Sequence, residues 1–312
     1  MGLSLSSSAL APTRARARPV RALIEVLRLV RYRFFLYAGL LPYLLGAAWA
    51  YGMDGVFHPG LFWCGLAGVV SSVVGVEAFN EYFDSRMGTD RVFDLKDAPP
   101  VSNAVLALGV AAFAAALAVG VYLALREGWP ILLFAALGGA AAIFYVAPPV
   151  RWAYRGLGET VIGLSYGPWM VLGSLYLHTH AFSWGALSAS FVPGLLIAAL
   201  AVVNAIPDYH QDRLVGKRNL VVRLGRRRAV WLYLGLAAAG LTVAAGGVAL
   251  GAFPIGALAA LAALPLLLAS AQRARRTYEA PRQFVPAIRA IVNCYAVAVL
   301  LFTLGVLAHG WR

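Results

Sequence analysis

Hydrophobic residues in this chain run in long blocks, not in the i, i+3, i+4 stripe of a surface helix or the alternation of a half-buried strand. Nine apolar stretches stand between charged or Gly/Pro-rich breaks, at 34–51, 60–83, 101–125, 130–147, 157–177, 184–206, 229–250, 253–271 and 286–308. At roughly 20 residues each, they are about long enough to cross ~30 Å of hydrocarbon as helices. A helix satisfies its own backbone hydrogen bonds in lipid, so helix is the element predicted throughout. The pattern predicts an all-α polytopic membrane protein with nine transmembrane helices. The seventh and eighth stretches are parted only by Gly-Ala-Phe-Pro at 251–254.

Composition agrees. Hydrophobic residues make up 61% of the 312 and charged residues only 12%, where a soluble domain carries about 25% charged. Mean hydropathy is +0.76. A soluble enzyme, a disordered tail protein and a disulfide scaffold are excluded. Cys64 and Cys294 both sit in apolar runs without metal-ligand spacing and read as core thiols.

The net charge of +13 would suggest nucleic acid in a soluble protein, but here the basic residues lie in the connections between apolar runs. With a cytoplasmic N-terminus, 24 of the 26 Lys and Arg fall in cytoplasmic segments, leaving Arg126 and Arg312 outside. That asymmetry is the positive-inside signal. It predicts a multi-pass protein of the cell (inner) membrane with its C-terminus outside, in contact with membrane lipid. Neither nucleic acid nor an obligate protein partner is expected. Residues 1–19 read as a disordered basic tail, and 20–33, alternating Arg and apolar residues, as an interfacial helix leading into the first span. From 20 to 312 the chain reads as one domain. The acid-free, Arg- and Ser-rich start has features of a transit peptide, and Met-Gly-Leu-Ser-Leu-Ser fits a loose myristoylation pattern, so a targeting role stays open.

The acids carry the chemistry. Glu77, Glu81, Asp84, Asp90, Asp94 and Asp97 gather at the end of the second stretch and in the loop after it, and Asp208 and Asp212 end the sixth. Four spans separate the clusters, an even number, so both return to one side of the membrane. Asn80 and Asp84 are four residues apart, as are Asn204 and Asp208, with Asp212 four further on. Offsets of four stack side chains on one helical face. The two Asn-xxx-Asp elements lie 124 residues apart, which suggests two related four-helix halves with a ninth helix appended. Stacked carboxylates repel unless something cationic neutralises them, and hard oxygens beside basic groups suit Mg²⁺ bound with a diphosphate. Lys217 and Arg218 follow Gly216, while Tyr145, Arg151 and Arg155 flank Pro148-Pro149 on the same side. Asp94 and Asp97, and the run Arg226 to Arg228, read as ordinary loop charges.

The segment 80–90, Asn-Glu-Tyr-Phe-Asp-Ser-Arg-Met-Gly-Thr-Asp, resembles the first Asp-rich motif of the UbiA superfamily of intramembrane prenyltransferases. The segment 204–218, with Asn204, Asp208, Asp212, Lys217 and Arg218, resembles the second. Between them, Tyr145-Val-Ala-Pro-Pro and Tyr154-Arg-Gly-Leu-Gly-Glu match the family's connection after its fourth helix. Residues 216–225 look most like the dihydroxynaphthoate branch, although Asn219 stands where that branch usually has Thr and Val146 where many members have Ser. Pro207, before Asp208, replaces a more usual helix former and should loosen the helix there.

The resemblance implies Mg²⁺-dependent transfer of a polyprenyl group from its diphosphate to an aromatic acceptor. It implies metal ligation by Asp84, Asp90, Asp208 and Asp212, and diphosphate binding by Asn80, Asn204, Tyr145, Arg155, Lys217 and Arg218. Asp84, Asp208, Lys217 and Arg155 would carry catalysis. The acceptor implied is 1,4-dihydroxy-2-naphthoate, with 4-hydroxybenzoate, homogentisate or another phenol left open. Tyr82, Phe83, Tyr166, Trp169 and Tyr209 are candidates to face the allylic cation, against the plainer role of packing or interfacial anchoring. A secondary transporter is the competing class, but its acids should sit near the midplane, not at one rim.

Overall fold

The computed structural model describes residues 34–87, 101–146 and 148–311. The basic tail 1–19, the interfacial helix 20–33, Asp90 and the side chain of Asp84 lie outside the described residues. No strand occurs among the described residues. The chain runs through α1 (Phe34–Asp54), α2 (Pro59–Met87), α3 (Asn103–Glu127) and α4 (Pro130–Ile143). Helix α5 spans 158–179 in three joined parts, Gly158–Leu164, a π turn at Ser165–Trp169, and Met170–Thr179. Pro168 lies inside that turn and cannot donate to the helical ladder, which gives the local widening a cause. Then come α6 (Trp184–Ala205), the short α7 (Tyr209–Leu214) and α8 (Leu220–Leu224), and α9 (Arg226–Ala249). Helix α10 (Ile255–Thr277) and α11 (Pro281–Leu307) complete the bundle.

Each apolar stretch of the sequence falls in a helix, and among the described residues six helices are long and apolar enough to cross a membrane: α2, α3, α6, α9, α10 and α11. The protein is therefore a multi-pass membrane protein. The division at 251–254 is a turn in which Phe253 is buried against Gly247. Helix α4 is shorter than its stretch, 14 residues, because the chain leaves the helix after Ile143 to build the loop described below.

Burial orders the bundle. In the most apolar window of α6, 72% of residues are buried, against 22% in α2 and 17% in α3. Helix α6 is thus the post against which α5 and α9 pack, while α2 and α3 turn much of their surface outward. Lipid provides no hydrophobic drive between helices, so close packing depends on small residues. Helix α6 presents Ala186, Ala189, Ser190, Gly194, Ala198 and Ala199, all buried. Gly256 and Gly305 bring α10 and α11 so close that a Cβ on Gly256 would stand 2.8 Å from the Gly305 carbonyl oxygen.

One expectation about local geometry changes. Helix α6 stops at Ala205, and Pro207 separates it from α7, so Asn204, Asp208 and Asp212 do not stack on one continuous helix. The amide of Asp212 still donates to the Asp208 carbonyl at 2.8 Å. Asp212 therefore sits on its own short helix, free to face a different neighbour.

Candidate active site

After α4 the chain folds into a loop, 144–157, closed by Trp152 N–H donating to Phe144 O at 2.9 Å and Ala153 N–H to Tyr145 O at 3.0 Å. Gly156 lies in the left-handed region at φ +71, and a Cβ there would stand 2.5 Å from Arg223 Nε. Glycine is needed on both counts. Arg223 uses the space to donate from Nε to Arg218 O at 2.9 Å and from Nη2 to Arg155 O at 2.7 Å. Arg218 N–H in turn reaches Tyr154 O at 3.3 Å. The loop after α4 and the segment after α7 are stitched into one surface.

Behind that surface lies a buried polar cluster. Asp212 is 1% exposed; its Oδ2 accepts from Asn219 Nδ2 at 2.6 Å and its Oδ1 faces Lys217 Nζ at 3.4 Å. Asn219 also caps α8, its Oδ1 accepting from Val222 N–H at 2.8 Å. Glu159, buried at the start of α5, accepts from Leu220 N–H at 3.0 Å. Burial pushes the Asp212 carboxyl above the usual carboxylate range, opposed by the Lys217 ammonium and the Asn219 amide.

On the other side of the loop, Tyr145 packs beside the first turn of α5; a Cβ on Gly158 would stand 3.1 Å from its ring. Tyr145 and Asn80 line one end of a cavity of about 740 Å³ enclosed mainly by α2, α3, α4 and α5. The rest of the lining is largely Ala, Gly, Val, Leu and aromatic, including Tyr166 and Trp169. The buried Oδ1 of Asn80 has no hydrogen-bond partner among the described residues. An unpaired amide oxygen at the polar end of an apolar cavity is a cost that a ligand's donor or cation would remove.

The structure thus places Asn80 and Tyr145 in the cavity lining and clusters Asp212 with Lys217. Asn204 and Asp208 lie half-buried at the α6–α7 junction, and Asp84 falls in the last turn of α2. Arg155 and Arg218 are exposed, the former donating to Pro149 O at 3.1 Å. The Arg151 guanidinium lies 5.4 Å from the Tyr154 ring centre. Of the five aromatic candidates, Tyr166 and Trp169 line the cavity. Tyr82 carries the Arg86 guanidinium at 3.5 Å, Phe83 packs against Phe79 at 6.0 Å, and Tyr209 faces Arg226 at 5.5 Å. Sequence reasoning missed the roles of Glu159, Asn219 and Arg223. Only Asn219 had a local signal, an N-cap residue directly before Leu-Val-Val.

A profile of the UbiA prenyltransferase family matches residues 39–295, most of the chain and both Asn-xxx-Asp elements. The chain belongs to the UbiA prenyltransferase family. Among curated relatives, the 2-carboxy-1,4-naphthoquinone phytyltransferase of Synechocystis is 25% identical over 87% of this chain and 89% of its own length. The 1,4-dihydroxy-2-naphthoate octaprenyltransferase of Mycobacterium tuberculosis is 31% identical over 58% of this chain and 65% of its own length. The fold matches a UbiA homolog from Aeropyrum pernix K1 with a TM-score of 0.66, at 20% identity, covering 87% of this chain and 97% of that one. A UbiA homolog from Archaeoglobus fulgidus bound to DMAPP and Mg²⁺ matches with a TM-score of 0.57, at 20% identity, covering 88% and 98%.

The donor set suits a metal of the Mg²⁺ type. Among the described residues no three His, Cys, Asp or Glu side chains converge on one metal-sized space. The unpaired Asn80 oxygen and the half-buried Asp208 are hard oxygen donors of the kind Mg²⁺ takes, while Asp90 and the Asp84 side chain lie outside the described residues.

The Asp212–Asn219 bond can be tested directly. Asn219→Ala removes both the cap and the donor to a buried carboxylate, which should cost about 1–3 kcal/mol of stability. Thr keeps a capping hydroxyl, so Asn219→Thr should retain most of it. Thermal unfolding in detergent, run on both variants, checks the order; equal melting for Ala and Thr contradicts the assignment.

Proposed function

We propose that this prenyltransferase joins a polyprenyl chain to 1,4-dihydroxy-2-naphthoate, displacing diphosphate and the acceptor's carboxylate. The observation that supports this most is the pairing of a largely apolar cavity, with Asn80 and Tyr145 in its lining, and the Asp212–Lys217 cluster, linked to it through the Tyr145–Gly158 and Tyr154–Arg218 contacts. The naphthoate relatives and the resemblance of residues 216–225 favour the acceptor. The Asn219 and Val146 departures keep another phenol as the second reading. The same reading has nine crossings in two related halves plus a ninth, with the N-terminus and both Asp motifs on the cytoplasmic side of the cell membrane and the C-terminus outside.

The reaction needs the allylic C–O bond to ionise, and charge then grows on the leaving diphosphate. Bound Mg²⁺ supplies electrostatic stabilisation of that charge. Asp84, Asp90, Asp208 and Asp212 would hold it, with Asn80 and Asn204 contributing amide oxygens. Lys217 adds a positive charge at the cluster, Tyr145 a phenolic hydroxyl at the cavity lining, and Arg155 and Arg218 exposed guanidinium groups nearby. The Asn219 and Glu159 contacts hold Asp212 and α8 in place, so the site does not reorganise as charge moves. Tyr166 and Trp169 place π faces in the cavity where the cation forms, and the apolar lining excludes water that would otherwise quench it. The ring carbon of the acceptor bonds to the allylic carbon, and carbon dioxide departs from that ring position.

Two outcomes check this reading. Asp84→Ala and Asp208→Ala should each lower turnover at least about 10²-fold while the protein still inserts and melts normally; activity within tenfold of wild type for both, or full activity in excess EDTA, sinks the metal–diphosphate assignment. In competition at matched concentration, dihydroxynaphthoate should exceed 4-hydroxybenzoate in kcat/KM by more than about tenfold, or ~1.4 kcal/mol of differential transition-state binding. A reversed preference leaves the family standing and removes this acceptor.

A further inference from the structure

The start of α9, the end of α10 and the start of α11 meet at one face of the bundle and carry a positive charge that prenyl transfer does not use. Residues 226–231 and 273–289 hold eight arginines, one acid, Glu279, and no lysine. All of these arginines except Arg226 are exposed, and none is in an ion pair among the described residues. Two bonds draw the three helix ends together: Arg226 Nη1 donates to Glu279 O at 3.2 Å, and Arg273 Nη1 to Pro286 O at 3.3 Å. The cavity takes no lining residue from beyond α5, so these arginines are not part of it.

A topology signal needs charge only on the correct side of the membrane. The α9–α10 seam is more specific than that. The Arg275 guanidinium of α10 stands 4.4 Å from the ring centre of Trp231 on α9. The indole face holds the cation in place while its N–H donors remain for an oxygen acceptor. Arg227 lies one turn before Trp231 on the same face of α9. Trp231 is 55% exposed, and Leu268, two turns deeper on the Arg275 face of α10, is 60% exposed. Two guanidinium groups thus sit at headgroup level above an indole and an exposed leucine at acyl-chain level.

We propose that the α9–α10 seam binds an anionic phospholipid, with its phosphate between Arg227 and Arg275 and an acyl chain along Trp231 and Leu268. Charge decides the class of lipid. A net-negative phosphodiester finds donors and an unneutralised positive field, whereas a zwitterionic lipid brings its own cation to a surface with only Glu279 to receive it.

The test counts lipids retained by the detergent-purified full chain in native mass spectrometry. Phosphatidylglycerol and phosphatidylcholine of identical chains are the probes. Two double variants remove equal charge from the same face: Arg227→Gln/Arg275→Gln in the seam, and Arg282→Gln/Arg289→Gln on α11. Wild type should retain phosphatidylglycerol at least about fivefold over phosphatidylcholine. The seam pair should lose most of that preference and the α11 pair less than half of it. Trp231→Leu, which keeps every charge, should also lower it by removing the support under Arg275. If the seam pair does not fold, Trp231→Leu decides, and an unchanged preference there overturns the site. No preference in wild type, or an equal loss in the two double variants, overturns the seam and leaves diffuse attraction. Geranylgeranyl diphosphate retained as well as phosphatidylglycerol, and lost in the same variants, overturns the lipid assignment.

Discussion

A diphosphate gives up its hydration only for fixed charges and hydrogen bonds, while a polyprenyl chain is stable only away from water. An enzyme that handles both on one molecule must place the two environments end to end, within a bond length of each other. In the reading proposed above, this chain would meet that constraint at the loop 144–157. On its membrane side stand Asn80, Tyr145 and the apolar cavity; on its other side stand Asp212, Lys217, Asn219 and Glu159.

Division of labour in the bundle follows from the same constraint. Of the six candidate spans, α6 and α11 are the most buried and carry much of the packing, in α6 largely through small residues. Helices α2, α3 and α4 pack less completely and leave the cavity between them. A uniformly close-packed bundle would have no room for a long chain, and a uniformly loose one would not hold a buried carboxylate such as Asp212 against a lysine and an amide. Desolvating that carboxylate is costly, and only partners in fixed positions offset the cost.

The sequence showed the helices because blocks of apolar residues have one structural outcome in lipid, and it singled out Asn80 and Asp208 as candidates because polar groups at membrane depth need a reason. It marked a weak point at Pro207 but not a full stop of α6 at Ala205. Spacing of four reads as one face, but Pro207 ends the helix and hands Asp212 to α7. Nor could it show Arg223 donating to Arg155, a bond across 68 positions with no periodicity to announce it. Glu159 was visible only as the last residue of the Tyr154-Arg-Gly-Leu-Gly-Glu motif; its partner, the Leu220 amide, becomes apparent once the two loops meet. Local pattern encodes elements, whereas the contacts that join the two halves of the site are long-range and follow from packing.

Everything above depends on the two Asp motifs sharing one side of the membrane, and cysteine accessibility measures that directly. In a background lacking Cys64 and Cys294, Arg86→Cys, Arg227→Cys and His180→Cys each place one exposed thiol at a helix end. In sealed vesicles of known orientation, an impermeant thiol reagent should label positions 86 and 227 from the same side and position 180 from the other. Labelling of 86 and 227 from opposite sides would separate the motifs and contradict the account.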